Sequence, residues 1–456
     1  MVIKSRWSFP MPQVSLPTFV FGSPTAVLPT TLAYISAAEP DKYSLSVGDF
    51  RLYAQRLASG LRRYDLQPGE RVLLFSGNTL FFPSVMMGVI MAEGIFTGAN
   101  PSCVARELAY QLQDSGARYL ICAEDSLDTG IQAAHDVGMD ADRVFAFDDG
   151  VATFGGKNVA RSTEIGIIRP WTTLLDPPEQ GAAYSCPNLT TEEELGCVVA
   201  LNYSSGTTGI AKGVMISHRN YVANSSQQIH IGSLSPGYKE KLLRKKYLCF
   251  LPMCHAMAQA IFCVGAVKQR IPVYMMPRFN LLEMLQYTEQ YKITDLVLVP
   301  PVVVAMAKYP ATRRFDLSSV DNVGSGAAPL GREISEKFER IWSTGQVNVK
   351  QGWGMTEVTC AATGYHPEKR WGSFSVGELL ANVEGKIVLD EEGKTEAPQG
   401  ERGEVWVRGP NIMKGYWNKP EATSETLTPD GWLKTGDVAY VDKDNYFFIV
   451  DRKVDT

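Results

Sequence analysis

The sequence predicts an α/β fold with two doubly wound, mainly parallel sheet subdomains flanked by helices and a small distorted β-barrel subdomain. Three observations predict it. Apolar runs of strand length alternate with helix-length segments through most of the chain, the pattern of βαβ units. A stretch poor in periodicity, 151–195, interrupts that alternation before it resumes. From about Val376 helical patterns become sparse and strands are separated by turn-rich segments.

The elements follow in order. Phe50, Tyr53, Leu57 and Leu61 recur at helical spacing. RVLLFSG (71–77) is a strand running into a glycine turn, and Phe82–Ala92 is an apolar segment of helix length. YLICA (119–123) and RVFAF (143–147) are further strands. Residues 151–195, rich in Gly, Pro and Ser, read as a long connection into a second unit. The alternation returns with CVVALNYSSG (197–206), YLCFLPM (247–253), PVYMMP (272–277) and DLVLVP (295–300). KIVLD (386–390), GEVWVRG (403–409) and NYFFIVD (445–451) are the strands of the last unit. The predicted boundaries are therefore 1–195, 196–375 and 376–456.

The totals bound the function. At roughly 150 residues per domain, 456 residues allow two or three units. A net charge of −5 offers no basic field for nucleic acid. The densest basic run, Lys239–Lys246, reads as a solvated helix face. Eight scattered cysteines form no CxxC pair, and five histidines show no ligand spacing, which argues against structural zinc. No sustained apolar segment precedes the N-terminal prolines, so no signal peptide is expected, and the Asn-x-Ser/Thr triplets at Asn188, Asn202 and Asn224 read as chance matches. LVLVPPVVVAMA, from Leu296, is too short for a membrane span of ~20 residues and reads as strand, turn and helix start. No transmembrane segment is expected, and nothing in the sequence indicates an oligomeric state.

The chemistry concentrates in SSGTTGIAKG (204–213), which holds four hydroxyls, three glycines and one lysine directly after an apolar strand. A loop leaving the carboxyl end of a parallel strand is where α/β sheets bind ligands. Its glycines let backbone N–H groups approach an anion. Ser204, Ser205, Thr207 and Thr208 add neutral donors around Gly206 and Gly209, and Lys212 adds one positive charge for a polyphosphate. It is not a Walker loop, because Ala211 precedes the lysine and Gly213 follows it.

YSSGTTGIAKGVMISHRN resembles the phosphate-loop signature of the adenylate-forming enzymes, which include acyl- and aryl-CoA synthetases, firefly-type luciferases and peptide-synthetase adenylation domains. GANPSCVARELAYQL (98–112), GSGAAPLG (324–331), QGWGMTE (351–357), RGPNIMKGYWNKPEAT (408–423), KTGDVAY (434–440) and FFIVDR (447–452) resemble its other motifs, in order. The resemblance spans nearly the whole chain and is nearest to enzymes like 4-coumarate–CoA ligase, helped by VPPVVVAMAKYP (299–310).

The resemblance implies roles. In Gln351-Gly352-Trp353-Gly354-Met355-Thr356-Glu357 the aromatic stacks on adenine, Thr356 meets the α-phosphate and Glu357 helps hold Mg²⁺. Many members have Tyr where this chain has Trp353, so a phenolic hydrogen bond is expected to be lost. Gly326, Ala327, Ala328 and Pro329 form the adenine and acyl-pocket wall. Asp437 accepts from the ribose hydroxyls, with Arg452 beside it. His255 borders the substrate carboxylate, and Ala256, Met257, Ala260, Gly326, Ala327 and Gly352 complete the substrate pocket. No carboxylate replaces Cys254, His255 or Ala256, which disfavours amino-acid activation. Met257 stands where plant hydroxycinnamate ligases tend to have Tyr, and its flexibility favours a medium-chain, aryl-alkanoic or polyketide-like carboxylic acid.

The implied reaction consumes ATP with Mg²⁺, forms an acyl-adenylate and passes the acyl group to CoA. Lys212, His255, Thr356 and Glu357 are the expected catalytic residues. In the family a smaller lid domain carrying a catalytic lysine follows the Asp-Arg pair, whereas this sequence ends at Thr456, with Val454 at a position usually held by lysine. The expectation is a chain that binds ATP or AMP and adenylates slowly. The alternative is a lidless module that holds nucleotide or acid without turnover. An intracellular, cytoplasmic location is expected, or a peroxisomal one if a longer form carries a C-terminal signal.

Overall fold

The structure, a computed structural model, describes residues 2–23, 26–148, 160–204, 209–370 and 374–452. Two parallel sheets and one antiparallel sheet carry it. The first has eight strands, ordered Lys212–Ser217, Val198–Ser204, Ile95–Ala99, Arg71–Phe75, Ala117–Ala123, Val144–Phe147, Gly166–Pro170 and Arg161–Thr163. Its interior pairs are parallel, and an antiparallel hairpin closes each edge. The second has seven, ordered Val349–Gln351, Asn322–Ser325, Asp295–Leu298, Tyr247–Cys249, Val273–Met275, Leu32–Ser36 and Ser44–Ser46. All of its pairs but the last are parallel.

The expected strands therefore form, but they are shared out differently from their order in the chain. The strand before the glycine-rich segment joins the first sheet, through Ala200 beside Phe96 and Leu201 beside Thr97. Leu32–Ser36, near the N-terminus, joins the second. Part of the expected connection 151–195 is an edge of the first sheet, because Gly166–Pro170 pairs with Val144–Phe147. Ile168 and Trp171 are fully buried there, and the Trp171 indole packs against Phe81 and Phe147. Residues 149–159 lie outside the described residues.

Helices cover the sheets where the apolar spacing places them. Val47–Arg63 is helical and buries Phe50, Leu57 and Leu61; Ser46 caps it by accepting from the Asp49 N–H at 3.0 Å. Phe82–Met91 is buried along its whole length against it. Pro300–Lys308 opens with two prolines, which is permitted because first-turn N–H groups have no helical acceptor. The basic run begins with the helix Tyr238–Arg244, which buries no residue.

The last unit is a curled five-stranded antiparallel sheet, and one edge strand comes from the N-terminus. Ile3–Lys4 pairs with Glu384–Val388, followed by Gly403–Arg408, Leu433–Val441 and Phe447–Arg452.

One buried amide sets the two parallel sheets against each other. Asn78, just past Arg71–Phe75, donates to Leu251 O at 3.0 Å and Met276 O at 3.3 Å. Its oxygen accepts from Met253 N at 2.9 Å. Both backbone segments leave the carboxyl ends of second-sheet strands, so the ligand-binding ends of the two sheets converge. Among the described residues no helix is long and apolar enough to cross a membrane.

Candidate active site

Four parallel strands of the second sheet end at one cleft: Tyr247–Cys249 leads to His255, Asp295–Leu298 to Val299, Asn322–Ser325 to Gly326, and Val349–Gln351 to Gly352. Val198–Ser204, of the first sheet, is tied to its rim where Ser204 donates to Glu357, next to Thr356. Polar backbone released at strand ends has to find partners outside the sheet, and here it faces a cavity of 670 Å³.

The strands that flank the glycine-rich segment are an antiparallel pair. Ser204 stands opposite Lys212 in the last antiparallel rung before the loop. Ser205, Gly206, Thr207 and Thr208 lie outside the described residues, and Gly209, at φ +79°, is exposed. The loop's roots are pinned. Tyr110 Oη donates to Ala211 O at 2.9 Å, and Tyr203 Oη donates to Asp114 at 2.8 Å. Lys419 pairs with the same carboxylate at 2.6 Å.

Glu357 meets this hairpin. It is nearly fully buried, and its Oε1 accepts from Ser204 Oγ and from Tyr416 Oη, each at 3.0 Å. The Lys212 ammonium lies 5.1 Å from the centre of the Tyr416 ring. Burial, and then the neighbouring Glu357 charge, push the Tyr416 phenol far up, so it stays a donor. Tyr416 was quoted within a motif but given no role from sequence. Its position follows from the segment 413–417 running along the hairpin's free edge, where Met215 N donates to Gly415 O and Trp417 N to Gly213 O.

The turn Thr356–Val358 is built without freedom to move. Asn411 donates to Val358 O and Ala361 O, both at 3.2 Å, and Asn224 donates to Ala361 O at 2.6 Å. At Gly354 a Cβ would sit 1.8 Å from Cys360 O, so only glycine fits that approach.

Trp353 lines the cavity, and its indole Nε1 donates to Asp437 Oδ2 at 2.8 Å. The indole thus makes a hydrogen bond of its own, to the carboxylate expected to meet the ribose. Arg452 Nε lies 3.6 Å from Asp437 Oδ1, across paired strands. Burial raises the Asp437 pKa, while Trp353 and Arg452 pull it down.

His255 opens on the cavity and precedes the short helix Ala256–Ala258, which continues as the π-helical stretch Gln259–Gly265. Crowding by protein lowers its pKa, favouring the neutral imidazole. A buried chain fixes this segment to the loop strand: Asn202 donates to Tyr221 Oη at 3.1 Å, Tyr221 to Gln259 at 2.6 Å, and Gln259 to Cys254 O at 3.2 Å.

Ala256, Met257, Gly326, Ala327, Gln351, Gly352, Gly354, Met355 and Thr356 also line the cavity. Three predicted residues fall elsewhere. Ala328 and Pro329 are exposed and outside its wall. Ala260, within the π-helical stretch, lines a neighbouring cavity only, whereas Ile261 lines both. Gln351 lines the wall, but its amide is spent on the backbone of Leu330, accepting from N at 2.9 Å and donating to O at 3.2 Å. That bond holds the Gly326–Pro329 turn, where Ala327 sits at φ +72°. Ile231, Leu380 and Lys350 also line the cavity and lie outside or just beside the motifs, while Val299 opens VPPVVVAMAKYP, which sequence reading ties to the family and not to the pocket.

Magnesium fits as an ion arriving with a polyphosphate. Among the described residues no cluster of three His, Cys, Asp or Glu exists, which leaves Glu357 as the single carboxylate. Its Oε2 has no hydrogen bond among the described residues. One carboxylate plus substrate phosphates is the usual way Mg²⁺ is held.

Comparison with known proteins bears on this geometry. A family model described as AMP-binding enzyme matches residues 25–417. The chain is 34% identical over 446 residues to 4-coumarate–CoA ligase 2 of Oryza sativa subsp. japonica, covering 94% of this chain and 73% of that one. It is 33% identical over 415 residues to 4-coumarate–CoA ligase-like 2 of Arabidopsis thaliana, covering 90% and 68%. Its fold is similar to the luciferase-like enzyme of the nonluminescent mealworm Zophobas morio, with a TM-score of 0.84, 20% identity and full coverage of both chains.

Proposed function

The chain belongs to the AMP-binding enzyme family, and on that premise we propose that it activates a carboxylic acid with ATP and transfers the acyl group to CoA. The observation that carries the reading is the junction of two environments in one cleft. Ser204, Lys212 and Glu357, grouped around Tyr416, would form an anion-binding end, and Glu357 directly follows Thr356 in the wall of a largely apolar cavity bordered by His255 and Met257.

A carboxylate is a poor acyl donor, since its leaving group is oxide. In the proposed reaction a carboxylate oxygen attacks the α-phosphorus of ATP. The bond to the β-phosphate oxygen breaks, and pyrophosphate leaves with that electron pair. Lys212 and Thr356 would meet the growing phosphate charge, and Glu357 would hold Mg²⁺, which when bound neutralises phosphate oxygens. Trp353 would face adenine, and Asp437 and Arg452 the ribose. His255, kept neutral, would lie beside the acid and keep the carboxylate end enclosed. The thiolate of CoA then attacks the carbonyl carbon, and AMP departs with the electrons of the acyl–oxygen bond. Each protein role consists of positioning and electrostatics on preorganised groups.

For the acid, Met257, Ile261, Val297 and Val299 support a medium-chain, aryl-alkanoic or polyketide-like substrate over a strict hydroxycinnamate. Pyrophosphate release with ATP, Mg²⁺ and a panel of acids tests the proposal. Release that depends on acid supports the reading, and nucleotide binding with no release, alone or with a family lid domain appended, refutes it.

A further inference from the structure

The acyl cavity does not end in apolar wall. Gln228, Ile261, Val297, Lys350 and Tyr365 line both it and a second cavity of 270 Å³ behind it. The two spaces are thus separated by at most one layer of side chains, and a lysine stands in that layer.

Lys350 occupies the middle of the edge strand Val349–Gln351. Its neighbours Val349 and Gln351 are buried, and period-two alternation sends Lys350 to the opposite face. An ammonium has three N–H donors. One goes to Pro367 O at 2.5 Å, and no other partner exists for it among the described residues. No carboxylate lies within ion-pair distance of it among the described residues. The acids that line the second cavity are already matched, Asp295 to Lys245 at 2.9 Å and Asp321 to Arg244 at 2.9 Å. Lys241, also in that wall, donates to Ser235 Oγ and adds further positive charge. Burial first, then Lys241, pull the Lys350 amine down to about 8. A desolvated cation with spare donors and no counter-charge is costly to keep unless a ligand supplies the anion.

We propose that Lys350 is a specificity residue, selecting acids that carry a second carboxylate at the end remote from the one activated. The apolar stretch between Met257 and Val297 would hold the methylene chain, and the distal carboxylate would take the free donors of Lys350 at the junction of the two cavities. This deepens the acid-activating reading and rests on it.

The test compares matched straight-chain pairs, hexanoic with adipic, octanoic with suberic, and decanoic with sebacic acid. Calorimetric binding in the presence of AMP and acid-dependent pyrophosphate release are the two readouts, on the wild type, Lys350→Met and Lys350→Arg. At least one diacid should outperform its monoacid about tenfold in the wild type. Lys350→Met should weaken that diacid relative to its monoacid about 30-fold or more, mainly in KM or Kd. Lys350→Arg should retain part of the preference, and it keeps the test alive if the methionine variant does not fold. Monoacids binding as well as every diacid, or Lys350→Met weakening both equally, overturns this inference alone. Failure of every acid in both readouts overturns the acid-activating reading and this inference with it.

Discussion

Trp353→Phe removes one N–H and keeps an aromatic face in the cavity. The bond it deletes runs 2.8 Å to Oδ2 of Asp437, inside a pocket where both residues are less than a tenth exposed. A hydrogen bond to a charged group contributes about 1.5–3 kcal/mol. The remaining charge partner is Arg452, 3.6 Å from the other oxygen and largely solvent-exposed, so it compensates little. The sign follows from the Asp437 pKa, which burial raises and Trp353 lowers. Removing Trp353 raises it further. A carboxyl whose folded pKa lies above its unfolded value destabilises the fold when ionised. That penalty fades as pH falls through the folded pKa and is gone below the unfolded one. Unfolding in urea, compared between wild type and variant, should therefore show a deficit of about 1.5–3 kcal/mol at pH 7.5 that shrinks steadily toward pH 4.5. AMP affinity should fall about tenfold or more at pH 7.5, since the ribose carboxylate is no longer held in place. A deficit constant across that pH range would mean that Trp353 acts through packing alone, and the argument from its hydrogen bond would fail.

Other expectations follow from the same site. Gly354→Ala would drive a Cβ to 1.8 Å from Cys360 O, so the Thr356–Glu357 turn must shift and nucleotide binding should drop below detection in equilibrium dialysis; retained binding would contradict the rigid turn. Lys212→Ala should weaken ATP about tenfold or more and AMP little, because its proposed role is to meet the leaving pyrophosphate; equal losses for both nucleotides would contradict that role. Buried His218 accepts from Leu16 N at 3.1 Å, and desolvation lowers its pKa to about 4. A histidine depressed in the folded state costs stability as pH falls from the unfolded value toward 4, by about 3 kcal/mol at most. His218→Asn should flatten that part of the pH–stability curve, and an unchanged slope would contradict it.

Local pattern made the elements legible and left their partners hidden. Strands such as Arg71–Phe75 and Val198–Ser204 are buried on both faces of parallel sheets, so they read as apolar runs. Which sheet a strand joins depends on contacts far away in the chain. No residue within Leu32–Ser36 announces Val273–Met275 as its neighbour, and Ile3–Lys4 is too short to signal a pairing with Glu384–Val388. Site residues stood out where their types were unusual for a core, as in the glycine-rich loop and in Trp353–Glu357. Tyr416 and Lys350 did not, because a tyrosine near a turn and a lysine in a strand are ordinary until a second segment gives them a neighbour. Ala260 lines the neighbouring cavity and not the acyl one, a distinction between adjacent positions of one helical turn that sequence spacing does not resolve.

The central claim is that the phosphate hairpin and the apolar cavity act on one reaction. Acid-dependent exchange of labelled pyrophosphate into ATP measures this most directly, on the chain alone and with the C-terminal domain of a 4-coumarate–CoA ligase appended. The account predicts exchange that requires a carboxylic acid and disappears in Lys212→Ala. Tight ATP binding without acid-dependent exchange in either form would contradict it.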